Sequence, residues 1–345
     1  MATNDIGIQT VESIFETLMI DEAWSVRRPR GFTWWSYRLA QHVEASEPFW
    51  DRGCLISKIR VWTEVANAVD ASHDPATVMA MANGQETLSA LVWDPAENTV
   101  AEYCTAVIGE EGVEWKSKLL ANAAIMQNTA AHSRSHTVAD ALSGVPAASS
   151  HPVNGERPDM DEMLNAPELV IAPAGKDSSA FVGALTEGLQ DFLPQYGIVG
   201  SSDADGFTCE LSYTGSEPAF MLAANAPGNN VGPVETCLLR IFPDVEHPQY
   251  GHGALIVMLL PPKFEQEQLA TVANQLNLVE TQRSTPTQLL GAWCMDPTNE
   301  EKDGIAFNAF LPSALAHPGL LENQILFQAG RSKFFGTEGR KYLRP

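Results

Sequence analysis

What this chain has little of narrows its function first. Only 21 of its 345 residues are Lys or Arg, against 43 Asp or Glu, for a formal net charge of −22 at pH 7. Such a surface repels phosphate backbones and anionic lipid headgroups, so neither nucleic acid nor a membrane is expected as a partner. Cysteine is scarce and scattered. Cys54, Cys104, Cys209, Cys237 and Cys294 stand singly, without the paired spacing of a zinc site. They read as buried thiols, and an odd, dispersed set implies a reducing compartment. The longest apolar run, Ala254–Leu260, is far too short to cross a bilayer. The polar start, Met1–Gly7, leads into an amphipathic pattern rather than the basic region and apolar core of a signal peptide. The expectation is a soluble, cytoplasmic protein.

Catalytic and cofactor motifs are equally thin. Gly251-His252-Gly253 lacks the third glycine and the following helix of a dinucleotide fingerprint, and there is no Gly-Lys-Ser/Thr phosphate loop. The serines near His151 have no Gly-x-Ser-x-Gly elbow to expose a nucleophile. His132 and His136 are four apart, yet no Glu sits between them and no third ligand has suitable spacing. Asp203-Ala204-Asp205-Gly206 looks like the middle of a calcium loop, but the first and twelfth positions are Ser201 and Ser212, so it reads as a plain turn. Asp159, Asp161 and Glu162 read as a solvated loop. No cofactor, metal or catalytic residue is expected.

What the chain does contain is a repeat. Leu88–Pro95 is an apolar strand stopped by Asp-Pro, followed by an alternating strand at Thr99–Ile108 and by Leu119-Leu120-Ala121-Asn122-Ala123-Ala124-Ile125-Met126-Gln127. Leu290–Pro297, Gly304–Leu311 and Leu320-Leu321-Glu322-Asn323-Gln324-Ile325-Leu326-Phe327-Gln328 spell the same plan. A repeat of a whole supersecondary unit, in a chain too long for one ordinary core, predicts two related domains. Between them, residues 142–177 shift to Ala, Ser, Pro, Asp and Glu. That stretch reads as a linker that drapes over a neighbouring surface through Leu164, Leu169, Val170 and Ile171. The first unit is then 1–141 and the second 178–345.

Within the first unit, Ile8, Val11, Ile14, Phe15, Leu18 and Met19 predict a helix. Phe32–Ala40 and Cys54–Val65 predict an antiparallel pair of strands. Asp74-Pro75 opens a short helix ended by Asn83-Gly84. In the second unit, Phe181, Leu185, Leu189, Phe192 and Leu193 form a helical stripe. Strands follow near 207–213, 219–223, 236–242 and 254–260, with a loop at 227–233 and a helix carrying Phe264, Leu269, Val272 and Leu276. The tail Arg340–Pro345 is basic.

Seven of the eight tryptophans fall in the first third of the chain, close to several arginines. Adjacent Trp34 and Trp35 on one strand point to opposite faces, so they cannot both enter one core. Trp and Arg are frequent interface anchors. Arg27, Arg28, Arg30, Trp34, Trp35, Tyr37 and Trp62 are therefore the candidate protein-binding face, with exposed aromatic surface around Trp34, Trp35, Tyr37 and Trp62. The competing reading is that the linker or the other unit covers this face.

The element order, the Asp-Pro hairpin and the amphipathic closing helix together resemble the type III secretion chaperone-like superfamily, in particular its actinobacterial tandem, YbjN-related members. Gly31-Phe32-Thr33-Trp34-Trp35 is similar to the N-terminal signature of that tandem group. The resemblance implies an α+β fold of two related units. Each would be a twisted antiparallel sheet with helices mainly on one face, in the order α-β-β-β-α-β-β-α, the two packed as an internal pseudo-dimer. It implies binding of another polypeptide and supplies no catalytic residues. Nothing in the chain points to a secretion apparatus. The expectation is a non-enzymatic, chaperone-like adaptor. The alternatives are a small-molecule sensor or enzyme with an unrecognised site, and a structural protein whose faces are consumed by self-association.

Overall fold

The computed structural model describes residues 5–51, 53–85, 87–166, 179–183, 189–212, 235–261, 264–299 and 303–337. Two antiparallel sheets dominate it. The first holds β1 (Ser25–Arg28), β2 (Gly31–Trp35), β3 (Ala40–Ala45), β4 (Phe49–Asp51), β5 (Cys54–Asn67), β6 (Ala90–Asp94), β7 (Thr99–Ile108) and β8 (Val145–Pro146). Its main path is β1-β2-β3-β5-β7-β6, with β4 and β8 each paired to β5. The second holds β9 (Gly200–Ser202), β10 (Phe207–Ser212), β11 (Thr236–His247), β12 (Gly251–Leu259), β13 (Ala292–Met295) and β14 (Ile305–Pro312), in the order β13-β14-β12-β11-β10-β9. Both paths have one form: a four-strand meander, then a hairpin whose second strand lies against the meander and whose first strand forms the edge.

The helices are α1 (Ile6–Thr17), α2 (Pro75–Ala82), α3 (Val113–Ala141), α4 (Leu269–Thr281) and α5 (Leu320–Thr337). Asp5 caps α1, accepting from the Gly7 and Ile8 amides, and α1 buries Val11, Ile14 and Phe15. Pro75 opens α2 behind its cap Asp74, as the sequence predicts. Of the expected stripe, Leu189–Phe192 is a helical turn continued as a 3-10 turn to Tyr196. Leu185, the loop at 227–233, the strand at 219–223, the linker residues Leu169, Val170 and Ile171 and the basic tail lie outside the described residues.

Two further expectations are corrected. The single strand foreseen at Phe32–Ala40 ends at Trp35, the chain turns over Ser36–Leu39, and β3 starts at Ala40. The main path before α2 therefore has four strands where three were expected. Ser36 is buried, bonded by the Asn128 amide, so that turn is tied down as firmly as a strand.

One buried cluster runs from Val11, Phe32 and Trp34 through Ala90, Val92 and Leu120 to Leu276, Trp293, Phe307 and Phe335, spanning both sheets. Where the sheets meet, their edges are completed reciprocally. β6 reaches along β7 only as far as the Ala90–Tyr103 pair, which leaves Thr105 open on that side. Leu289 fills the gap: the Thr105 amide donates to its carbonyl at 2.9 Å and the Leu289 amide returns a bond at 3.0 Å. β13 likewise stops at the Ala292–Asn308 pair, and the Phe310 amide donates to the carbonyl of Thr87 at 3.1 Å. Gly291 makes the crossing beside β14 at φ +131, where a Cβ would lie 2.4 Å from the Asn308 carbonyl.

The edges themselves are capped by amide side chains. Asn83 spans the main chain of Leu91, donating to its carbonyl and accepting from its amide at 2.9 and 2.8 Å. Asn277 does the same to Trp293, both bonds at 2.9 Å. Asn274 of α4 does so to Trp93 across the boundary. A carboxamide copies the donor and acceptor of a peptide group, so each serves as one residue of a missing strand.

Candidate functional site

The two faces of the first sheet separate the candidate residues. On the face packed against α1 and α3, Trp34 is 0% exposed, sits within the main cluster and keeps its indole N–H without a hydrogen-bond partner. On the opposite face Trp35 is 7% exposed, and its Nε1 donates to Ser149 Oγ at 2.9 Å. The expected exposure of Trp34 and Trp35 is thus corrected. Pleating sends one into the core, and residues of the linker cover the other.

Trp62 is half-buried on that outer face, stacked between His42 (ring centroids 4.8 Å) and Tyr103 (6.2 Å), with the Arg60 guanidinium 5.0 Å from its ring. Burial, followed by the charge of Arg28, pushes the His42 imidazole down to about 4, and its Nδ1 lies 2.9 Å from Thr33 Oγ1. Tyr37 is half-buried, stacked on His132 at 6.4 Å, with the Arg38 guanidinium 5.2 Å from its ring.

The arginines also divide. Arg27 is exposed, paired with Glu12 and set 3.9 Å over the Phe15 ring. Arg30 is structural: it forks onto Asp5 at 2.7 and 3.2 Å and reaches the carbonyls of Ala45 and Ser46. Asp5 stays ionised, since the bonds and charge from Arg30 and the α1 amides outweigh its desolvation and leave its carboxyl below the usual range. Arg28 is exposed at the lip of a groove of about 570 Å³, lined also by Val43, Phe49 and Arg283. Beside the groove the β4–β5 hairpin presents Trp50, 73% exposed, opposite Leu55.

The linker is not a loose tether over 145–164. Ala147 donates its amide to the Val65 carbonyl (2.9 Å), Ser149 to Arg38 (2.8 Å) and Asp161 to Ser36 (2.8 Å). The Arg157 guanidinium donates to the Trp35 carbonyl and pairs with Asp161, both at 2.9 Å. His151 sets its ring edge-on to Trp35, with centroids 4.9 Å apart. Leu164, as expected, is buried, and its carbonyl accepts from Thr129.

Other candidates resolve into local structure. His132 donates from Nδ1 to the Asn128 carbonyl and accepts at Nε2 from the Leu39 amide, and burial lowers its pKa. Asp203 accepts from the Asp205 and Gly206 amides as a turn. Among the described residues no group of three or more His, Cys, Asp or Glu could hold a metal ion, and no helix is long and apolar enough to cross a membrane.

Sequence reasoning missed a buried polar cluster between the sheets. Lys58 of β5, on the face opposite Ile59 and Val61, is fully buried. Its Nζ donates to the Glu280 carbonyl (2.6 Å), the Thr285 carbonyl (3.3 Å) and Thr285 Oγ1 (2.5 Å). Burial, against the opposing pull of Glu280, brings its pKa down to about 7. The Glu280 carboxylate accepts from Trp293 Nε1 at 3.0 Å and Arg331 Nε at 2.8 Å, and Arg331 also reaches Gln328 and the Gln288 carbonyl. Nothing in the pattern around Lys58 marks it, because its partners are more than two hundred positions away.

No protein-family model, curated protein or solved structure matches this chain.

Proposed function

We propose that the chain is a non-enzymatic adaptor that holds another polypeptide, built from two related secretion-chaperone-like units packed as an internal pseudo-dimer. Support for the pairing comes from the shared strand path and the reciprocal bonds Thr105–Leu289 and Phe310–Thr87. The adaptor reading rests on one observation. The arginine–tryptophan side of the first sheet already holds a covering stretch of chain, residues 145–164, which turns at 152–154 and ends in the 3-10 turn Glu162–Asn165, largely through bonds to main-chain atoms that ask little of its sequence. Arg28 and the groove beside it extend the same side into open surface. The acidic remainder of the surface keeps such a protein soluble and steers away nucleic acid.

The test is photo-crosslinking in cells, with a photoreactive amino acid placed at Arg28 and, as a control, at exposed Glu267 ahead of α4. A discrete polypeptide adduct from position 28 and none from 267 is the expected result. Equal labelling from both positions, or none from 28, overturns the proposal.

A further inference from the structure

We propose that the middle of Val145–Leu164, residues 148–162, is a displaceable occupant of a polypeptide-binding channel over Trp35, and that the partner is a second proline-containing segment that takes its place. This rests on the adaptor reading above and adds where the partner sits and what it must look like.

Three observations carry it. The first is how the segment is held. Its fixed points on strand and turn are the carbonyls of Val65, Arg38, Ser36 and Trp35, atoms that any chain with the right spacing of donors can use. The second is what it covers. Trp35 is buried yet belongs to none of the hydrophobic clusters, because its cover is the hydroxyl of Ser149 and the edge of His151. A large aromatic ring kept from water by polar side chains is a subsite awaiting a better fit. Its two ends are seated in buried clusters, Ala147 in one and Leu164 in the other, while Phe32, Trp34 and Val43 turn towards α1 and α3, so it is the stretch between those ends that can leave without opening the core.

The third is loose packing. Of its apolar side chains, Ala147 and Leu164 are buried while Val145, Val153 and Met160 are exposed. Open grooves flank the segment on two sides. One of about 460 Å³ lies against Trp24 and Arg157, and one of about 500 Å³ lies against Tyr37 and His132; Met160 lines both. Pro146, Pro152 and Pro158 restrict the backbone before docking, which lowers the entropy lost on binding for this segment and for any competitor of similar composition. The fitting partner is therefore a segment with small or hydroxyl residues against Trp35, a histidine or other flat ring between Trp24 and Trp35, and an Arg and Asp four residues apart, as Arg157 and Asp161 are.

The experiment uses the full chain and a fluorescein-labelled synthetic peptide of residues 145–164, with anisotropy as the readout. Wild-type protein binds it poorly. Arg157→Ala, which loses the Trp35 carbonyl and Asp161, and His151→Ala bind it at least about tenfold more tightly, because the cis segment competes less well. Native-state hydrogen exchange on the wild type needs no variant. The Ser149 and Asp161 amides are expected to exchange at least about tenfold faster than those of Val43 and Val61, through release of the segment alone. Two outcomes overturn the proposal: exchange of Ser149 and Asp161 only together with the core, or no gain in peptide binding by folded variants whose Ser149 and Asp161 amides have become open. Either result leaves the Arg28 crosslinking test untouched, so failure here is distinguishable from failure of the adaptor reading.

Discussion

Thr105 and Leu289, 184 positions apart in the chain, exchange main-chain hydrogen bonds, so a residue three positions before the second edge strand completes the first sheet. Thr87, at the corresponding place before β6, gives its carbonyl to Phe310 of the second sheet. In both sheets the opposite sheet supplies a main-chain partner two residues beyond the point where the edge strand stops. Neither edge is left as an open template for aggregation.

The amide caps make this junction sensitive to single atoms. Asn277→Ala leaves the buried amide and carbonyl of Trp293 without their main partners, and an unsatisfied buried group costs about 1–3 kcal/mol. The expected loss is about 2–5 kcal/mol, read as a lower urea midpoint. Because one cluster spans both sheets, tryptophan fluorescence and far-UV circular dichroism should report a single shared transition. Two separated transitions would show that the sheets unfold independently.

Lys58 predicts an alkaline gain in stability. Folded, it releases its proton near pH 7; unfolded, near 10.5. Between those values the unfolded chain holds the extra proton, so raising the pH through this window stabilises the fold, by on the order of a few kcal/mol. Below pH 7 the ammonium is retained and its three hydrogens meet three acceptors. Lys58→Met should flatten the profile of urea midpoint against pH between 7 and 10, and an unchanged slope would refute the assignment.

Arg331 is 2% exposed and neutralises a Glu280 carboxylate that is 0% exposed. Arg331→Ala strands that charge, with an expected cost of about 3–5 kcal/mol at neutral pH. Pairing the change with Glu280→Gln should recover part of the loss, since the remaining group is uncharged. Thermal denaturation of the single and double variants gives the comparison, and a double variant no better than Arg331→Ala would contradict it.

His42 acts in the acid range. Its folded pKa of about 4 lies below the ordinary 6.5, so its contribution is complete above pH 6.5 and is lost as the pH falls through 4. The imidazole accounts for up to about 3 kcal/mol of acid destabilisation. His42→Gln should lose less stability than wild type between pH 6.5 and 4, measured as the difference between the two urea midpoints so that the carboxylates shared by both cancel.

The local elements were written in the chain itself. Apolar spacing marks α1, the Asp74-Pro75 pair marks the start of α2, and the Asp-Pro stops and double leucines mark the hairpins β6–β7 and β13–β14 with the helices that follow. These depend on periodicity, capping and turn chemistry, which act over a few residues and so can be read from a few residues. Pleating alone also required Trp34 and Trp35 to part. Only the tertiary structure decided which of the two enters the core, that Ser149 and His151 cover the other, that Arg30 is consumed by Asp5 while Arg28 faces a groove, and that Lys58 is buried among carbonyls of Glu280 and Thr285. Each of those outcomes joins groups far apart along the chain, and no local pattern records which distant residue will arrive to satisfy a given donor, charge or ring.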